Sequence, residues 1–345
     1  MTILFRRLAA LLLAAALCLG AFPAVAGSYP QRPLTLIVPY GAGGTTDLTA
    51  RQLALQLKKH LGVAVTVINQ GGASGSIGTR SALTAPADGY TLLVSADSLG
   101  TQRVMGISDM SYGDFRVIAP LTNDPKVIVV AGDSPYETIH QLLEDITSRP
   151  RQVKMSYTGP GGSGHVQSLI YNTFGLQMAL TAYPGGADCI LAVLGHQVDF
   201  TNANYSTIVS YLASGDLRLL AVSSTQRLPA HPEVPALAEV IPGSEALMAI
   251  PYTPLSLLVH KDVPDPVFET LQEAARKSFQ EEEWIAYCDS NALDTLYDRY
   301  RTPEDISAFY AEWESLVSWL LYDAGAAPNS PETFGIPRPA DQAGE

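Results

Sequence analysis

Val38-Pro-Tyr-Gly-Ala-Gly-Gly-Thr-Thr-Asp-Leu-Thr-Ala-Arg51, "VPYGAGGTTDLTAR", decides how this chain is read. It follows the apolar run Leu34-Thr-Leu-Ile-Val38 and leads into 46–61, where apolar residues recur at helical spacing. A glycine-rich turn between a strand and a helix exposes backbone N–H groups at the positive end of the helix dipole. A small anion is favoured there. A phosphate loop needs a Lys-Ser/Thr pair after its last glycine, and none is present. A dinucleotide fingerprint fails as well, because Thr46 stands at its third glycine. The turn either grips another kind of anion or is a tight strand-to-helix turn with Thr45 or Asp47 as cap.

Working outward, strand-like and helix-like segments alternate. Residues 63–68 and 90–94 read as strands and 76–85 as a helix after the glycines of "NQGGASGSIG". This βαβαβ rhythm implies a mainly parallel sheet with helices on both faces. It resumes after a change of texture near Pro125, with strands at 127–130, 153–157, 178–182, 198–201 and 217–223. Helices are expected at 134–146, started by Ser134-Pro135, and at 165–174 and 187–194. A Pro-rich passage, 229–254, precedes a strand at 255–259 and two long amphipathic helices, 265–279 and 303–321. The expected fold is two doubly wound α/β lobes joined by extended crossovers near 125–131 and 250–256. The first lobe takes 27–130 and 251–325, the second 131–250, and 326–345 is a flexible tail. In such sheets ligands sit beyond the carboxyl ends of the strands. Here those ends carry 41–47, 95–98, 159–165, 183–186 and 202–205.

The first 26 residues read as an export signal: Arg6-Arg7, an apolar run over 8–19, and a small-x-small site at Ala24-Val25-Ala26. Removing it takes the formal net charge from −13 to −15, since it carries two arginines and no acid. Such a surface repels nucleic acid and anionic lipid, and both are dropped as partners. Cys189 and Cys288 read as buried free thiols. His60, His140, His165, His196, His231 and His260 show no metal-ligand spacing, so no metal and no cofactor is expected.

Gly159-Pro-Gly-Gly-Ser-Gly164 does match G-x-G-x-x-G, with Asp188 at about the right distance. Pro184, Gly185 and Gly186 place that acid badly for a ribose, and an exported protein meets few such cofactors. The same stretch nearly makes a nucleophile elbow, but His165 stands where glycine is needed and no third triad member is marked. An exported hydrolase using Ser163, or a dinucleotide enzyme using 159–164, is the competing class. His165 reads as a donor to a ligand oxygen or a satisfied helix-terminal histidine. Asp97 is a turn cap or a ligand contact, and Asn202, Asn204 and Tyr205 are neutral hydrogen-bonders at a strand end.

Several stretches together resemble the tripartite tricarboxylate transporter substrate-binding proteins, the Bug family. They are "PQRPLTLIVPYGAGGTTDLTARQLALQLKKHLGVAVTVINQGGASGSIGT", "APADGYTLLVSA", "GHQVDF", "GDLRLLAVSSTQRLPAHPEVPALAE" and "IPG", running in order from about Tyr29 to Tyr322. The resemblance implies a type II periplasmic binding-protein fold, with two lobes closing on a small carboxylate that is delivered to a membrane permease without chemistry. It implies a periplasmic monomer whose ligand is held by backbone amides, hydroxyls and waters. The absence of Lys and Arg from all five turns agrees with that. Carried over, the ligand contacts are Tyr40, Gly41, Gly43, Gly44, Thr45, Thr46 and Asp47 in the first loop. Gly162, Ser163, His165, Tyr183 and Gly185 follow from the second lobe, with Ser95, Asp97, Ser98, Asn202 and Asn204 at the other strand ends. Ala42, Pro184, Ala203 and Ile250-Pro-Tyr-Thr-Pro254 depart from the family pattern, and Asp97 stands where small neutral residues are common. Asp97 and Ala203 are expected to turn selectivity away from simple dicarboxylates, toward an anion with a donor group or an aromatic monocarboxylate.

Overall fold

The structure, a computed structural model, describes residues 29–339 apart from 251 and 252; the expected export signal lies outside the described residues. The run Leu34–Val38 is strand β1, and its neighbours on either side are β2 (Val65–Asn69) and β3 (Thr91–Ser95), both parallel to it. Helix α1 (Thr45–Leu61) begins right after the glycine turn. It buries Leu53, Leu57 and Leu61, spaced four apart, and ends in Gly62 at φ 71°. Asp47 in its first turn and Lys58, Lys59 and His60 in its last complement the helix dipole.

Helix α2 (Ser76–Leu83) explains the glycines before it. A Cβ on Gly78 would stand 2.6 Å from the Gln70 carbonyl oxygen and 2.7 Å from Pro39 Cα, so only glycine lets this helix lie against the β1 and β2 ends. Strand β4 (Phe115–Asn123), which the periodicity does not reveal, runs along the other side of the sheet.

The chain then changes sheets. Strand β5 (Lys126–Ala131), buried along its whole length, lies between β8 (Phe200–Asn204) and β9 (Leu217–Val222), antiparallel to both. Strands β6 (Lys154–Tyr157) and β7 (Ala179–Ala182) complete that sheet in the order β7-β6-β8-β5-β9. Strand β10 (Pro254–His260) returns to the first sheet, antiparallel to β3 and β4, and β11 (Asp294–Thr295) adds the edge in the order β11-β4-β10-β3-β1-β2. The sheet change falls between Asn123 and Lys126, so the expected first-lobe limit at residue 130 is corrected: β5 pairs only within the second sheet.

Helices α3 (Ile139–Ser148), α4 (Ser163–Thr173) and α5 (Gly186–Leu194) flank the second sheet. The start of α3 differs from expectation. Thr138 and Gln141 form a capping box, whereas the Ser134 hydroxyl accepts from Tyr136 N–H and closes a local turn. The helix Pro303–Asp323 starts at residue 303 as expected, and the structure adds Thr302 as its cap. It spans both cores: Phe309 and Tyr310 pack with Ile37, Leu93 and Leu99, while Trp313, Val317 and Trp319 pack with Val130, Met155 and Ile170. Assigning 251–325 wholly to the first lobe is therefore corrected as well.

The tail reading also changes. Ala327 and Ile336 belong to the second core, the Trp319 indole donates to the Pro337 carbonyl at 2.9 Å, and Arg338 pairs with Asp323 at 2.7 Å. As far as residue 339 proline and glycine shape a packed strap rather than a frayed end; residues 340–345 lie outside the described residues.

Candidate functional site

Three helices point their N-termini into one cavity of about 70 Å³ between the two sheets. Each has glycine at its N-cap: Gly44 for α1, Gly162 for α4 and Gly185 for α5, and none has a side-chain cap of its own. Glycine cannot satisfy the first-turn N–H groups of its helix, so these donors are left for an acceptor from elsewhere. The turns approach closely across the cleft. A Cβ on Gly43 would stand 3.5 Å from Ala187 Cβ, and one on Gly44 would stand 3.9 Å from the Gly186 nitrogen.

Ten of the seventeen expected contacts line this cavity: Tyr40, Gly41, Gly44, Thr45, Thr46, Asp97, Ser163, Gly185, Asn202 and Asn204. The other seven do not line it. Gly43, at φ 79°, donates its N–H to Asp47 at 2.9 Å. Asp47 also accepts from Arg51 at 3.0 Å and Asn69 at 2.9 Å. Burial works to raise the Asp47 pKa, but Arg51, the Gly43 N–H and Asn69 outweigh it and hold the carboxylate below its usual range. Asp47 thus braces the loop and spends its oxygens there. Ser98 holds the Tyr40 hydroxyl at 2.5 Å, and Ser95 is fully buried beside the Ala96 carbonyl. Gly162 is the backbone start of α4. His165 Nδ1 accepts the Gly161 N–H at 3.1 Å, and burial lowers the ring's pKa. That lone pair is therefore not available as a base toward Ser163. Tyr183 packs with the second-lobe core and bonds Gln197 at 3.2 Å.

Sequence reading missed the cation. Lys126 opens β5, is only 6 % exposed and lines the cavity. It lies at the amino end of its strand, whereas the expected ligand contacts lie beyond the carboxyl ends. β5 arrives from the other lobe and runs antiparallel, so its first residue sits at the cleft, in register with Asn204. The available signal was a charged residue heading an otherwise apolar strand, "KVIVVA". Among the described residues Lys126 Nζ makes one hydrogen bond, to the Asn202 carbonyl at 3.3 Å, leaving two of its three donors unspent. Burial lowers its pKa, opposed by the negative charges of Asp97 and Asp124.

Asp97 and Asp124 have different tasks. Asp97 Oδ2 accepts the Ser163 N–H at 2.5 Å, so this carboxylate caps α4 from across the cleft. Burial lifts its pKa to about 6 against the pull of Lys126 and the Ser163 N–H. Asp124 sits in the crossover, accepting from the Thr45 hydroxyl at 2.5 Å, the Ser206 N–H at 3.3 Å and the Ser206 hydroxyl. It ties the start of α1 to the turn after β8. Of the buried amide atoms without a partner among the described residues, two belong to cavity-lining side chains, Asn202 Oδ1 and Asn204 Nδ2. Buried amides without partners are costly, and these two can pair with groups that enter the cavity. Cys189 lines the cavity too, its thiol pushed up to about 11 by burial, and Cys288 is buried elsewhere; both are free thiols, as read.

The model of the tripartite tricarboxylate transporter family receptor matches residues 49–308, about three quarters of the chain. The chain belongs to this family of receptors. BugT of Bordetella pertussis (strain Tohama I) is 28 % identical over 314 residues, covering 89 % of this chain and 93 % of BugT. The solved periplasmic binding protein BugD superposes with a TM-score of 0.79 at 26 % identity, over 87 % of this chain and all but 1 % of BugD's own (99 % covered). R. palustris Rpa4515, solved with adipate, shares the fold at a TM-score of 0.79 and 23 % identity, over 87 % of this chain and 99 % of that one. The tripartite tricarboxylate transporter receptors are binding proteins and not enzymes, which overturns the exported-enzyme alternative built on 159–165. The G-x-G-x-x-G match instead serves lobe contact: Gly161, at φ 79°, lies against Thr101, whose hydroxyl donates to its carbonyl at 2.9 Å.

Proposed function

We propose that this chain is a periplasmic monomer that closes its two lobes on a small organic acid and passes it unchanged to the membrane subunits of a tripartite transporter. The observation that carries the reading is the convergence of three glycine-started helix N-termini, of which α4 is capped by Asp97, and the Lys126 ammonium on one cavity. A carboxylate there takes charge-assisted hydrogen bonds of about 1.5–3 kcal/mol each. Each helix end adds up to ~2 kcal/mol in favourable geometry. Micromolar binding needs about 8 kcal/mol net, which a few such contacts supply even after part is lost to ordering. R. palustris Rpa4515, which shares the fold, was solved with adipate, a small organic acid.

Lobe limits at the sheet changes, near 124 and 253, make Asp124 and Thr253 the hinge positions. Thr253 N–H donates to Asn123 Oδ1 at 3.0 Å, and its hydroxyl faces Asn204 at 3.5 Å. Opening about these positions exposes the cavity to water, and closure shields the anion. A thermal-shift screen of purified protein against carboxylates, amines, sugars and sulfonates tests the reading. Stabilisation by one or more carboxylates, recovered chemically intact, is expected; response only to non-acids, or turnover of the acid, overturns it.

A further inference from the structure

The three helix N-termini are not equivalent. The α4 end is already occupied, because Asp97 Oδ2 takes the Ser163 N–H at 2.5 Å. The protein's own carboxylate therefore sits where an acidic ligand group would otherwise be drawn. Asp124 is likewise spent on Thr45 and Ser206. What the cavity has left to offer a ligand falls into two sets. The donors are the open ends of α1 and α5, the two unspent Lys126 protons and Asn204 Nδ2. The acceptors are Asn202 Oδ1, which has no partner, and Asp97 Oδ1, for which no hydrogen bond to another residue is formed among the described residues.

Resting on the receptor reading above, we infer that the ligand is a monocarboxylate carrying a hydrogen-bond-donating group, and that Asp97 excludes dicarboxylates. One carboxylate satisfies the donor set. A second would have to lie against the buried Asp97 carboxylate, where like charges are weakly screened, and it would leave the Asn202 acceptor unpaired. A donor such as an amide, amine or hydroxyl meets both acceptors instead. Lys126 supports this division: its one positive charge is shared with two protein carboxylates and does not compensate a third and a fourth.

Matched acids that differ only in the second group provide the test: succinate and succinamate, glutarate and glutaramate, adipate and adipamate, titrated calorimetrically near pH 8. In the native protein the half-amide of at least one pair binds about ten-fold tighter than its dicarboxylate. Asp97→Asn presents a donor in place of an acceptor and brings the ratio to unity or reverses it; Asp97→Ser serves as the second variant should the first unfold. Tighter binding of the dicarboxylates by the native protein overturns this inference and leaves the receptor reading standing. An unchanged ratio in both variants removes Asp97 as its cause and likewise overturns it. Binding of none of these acids, with no other carboxylate binding either, overturns the receptor reading and this inference with it.

Discussion

Asp97 Oδ2 and the Ser163 N–H, 2.5 Å apart, join the turn after β3 in one lobe to the first residue of α4 in the other. One hydrogen bond thus caps a helix, latches the cleft and sets the charge of the cavity. Ser74 to the Pro160 carbonyl, at 2.9 Å, and Thr101 to the Gly161 carbonyl, also at 2.9 Å, run beside it as further bridges.

Asp97 carries a pH signature. Burial raises its folded pKa from 3.8 to about 6, so the folded chain holds the proton that the unfolded chain releases. The associated stability is fully present below about pH 4 and is lost as pH rises toward 6. Two units correspond to about 3 kcal/mol at most. Urea unfolding of the native protein and of Asp97→Asn at pH 4, 5, 6 and 7 checks this. Relative to the variant, the native protein is expected to lose stability across that range and then level off. A constant difference between the two would contradict it.

Lys126→Met keeps most of the side-chain volume and removes the cation from the cavity. Loss of one or two charge-assisted hydrogen bonds, about 1.5–3 kcal/mol each, predicts carboxylate binding weaker by ten-fold to well over a hundred-fold. Titration calorimetry with the tightest acid reads it. The variant also leaves Asp97 and Asp124 buried without their cation, so its Asp97 should hold its proton to higher pH.

Gly78→Ala separates packing from helix propensity. Alanine in a helix interior is ordinarily better than glycine by about 1 kcal/mol. Here its methyl meets the Gln70 carbonyl oxygen at 2.6 Å and Pro39 Cα at 2.7 Å. Overpacking of this kind predicts a net loss of about 1–3 kcal/mol in urea unfolding. A gain would show that α2 does not lie so close to the sheet.

Much of the fold was legible because α/β lobes write their rhythm into the chain. Leu34–Val38, the α1 stripe and the glycines before α2 each have a local physical cause that reads directly from residue order. β4 was not legible: its buried and half-buried positions follow no two-residue period, and Pro120 interrupts it. At the site, glycine turns were found because their chemistry is local. Lys126 was not, since its place depends on which strand runs antiparallel, a fact of topology rather than of neighbouring residues. Side-chain direction cannot be read from sequence: Asp47 and His165 both bond the backbone of their own loops.

The C-terminal strap gives a further check. Deleting residues 327–345 removes Ala327 and Ile336 from the second core and strips the Pro337 carbonyl from Trp319 and Ser315. By comparison with large-to-small core changes, a loss of about 2–5 kcal/mol is expected in urea unfolding. Unchanged stability would restore the reading of a flexible tail.

The central claim, a receptor that holds an acid by Lys126 and the open helix ends without altering it, is tested most directly by native mass spectrometry. The purified protein is sprayed with a panel of carboxylates, alongside Lys126→Met. A single 1:1 adduct of unchanged ligand mass, strongly reduced in the variant, is the predicted result. An adduct equally abundant in Lys126→Met, or no adduct with any acid, would contradict it.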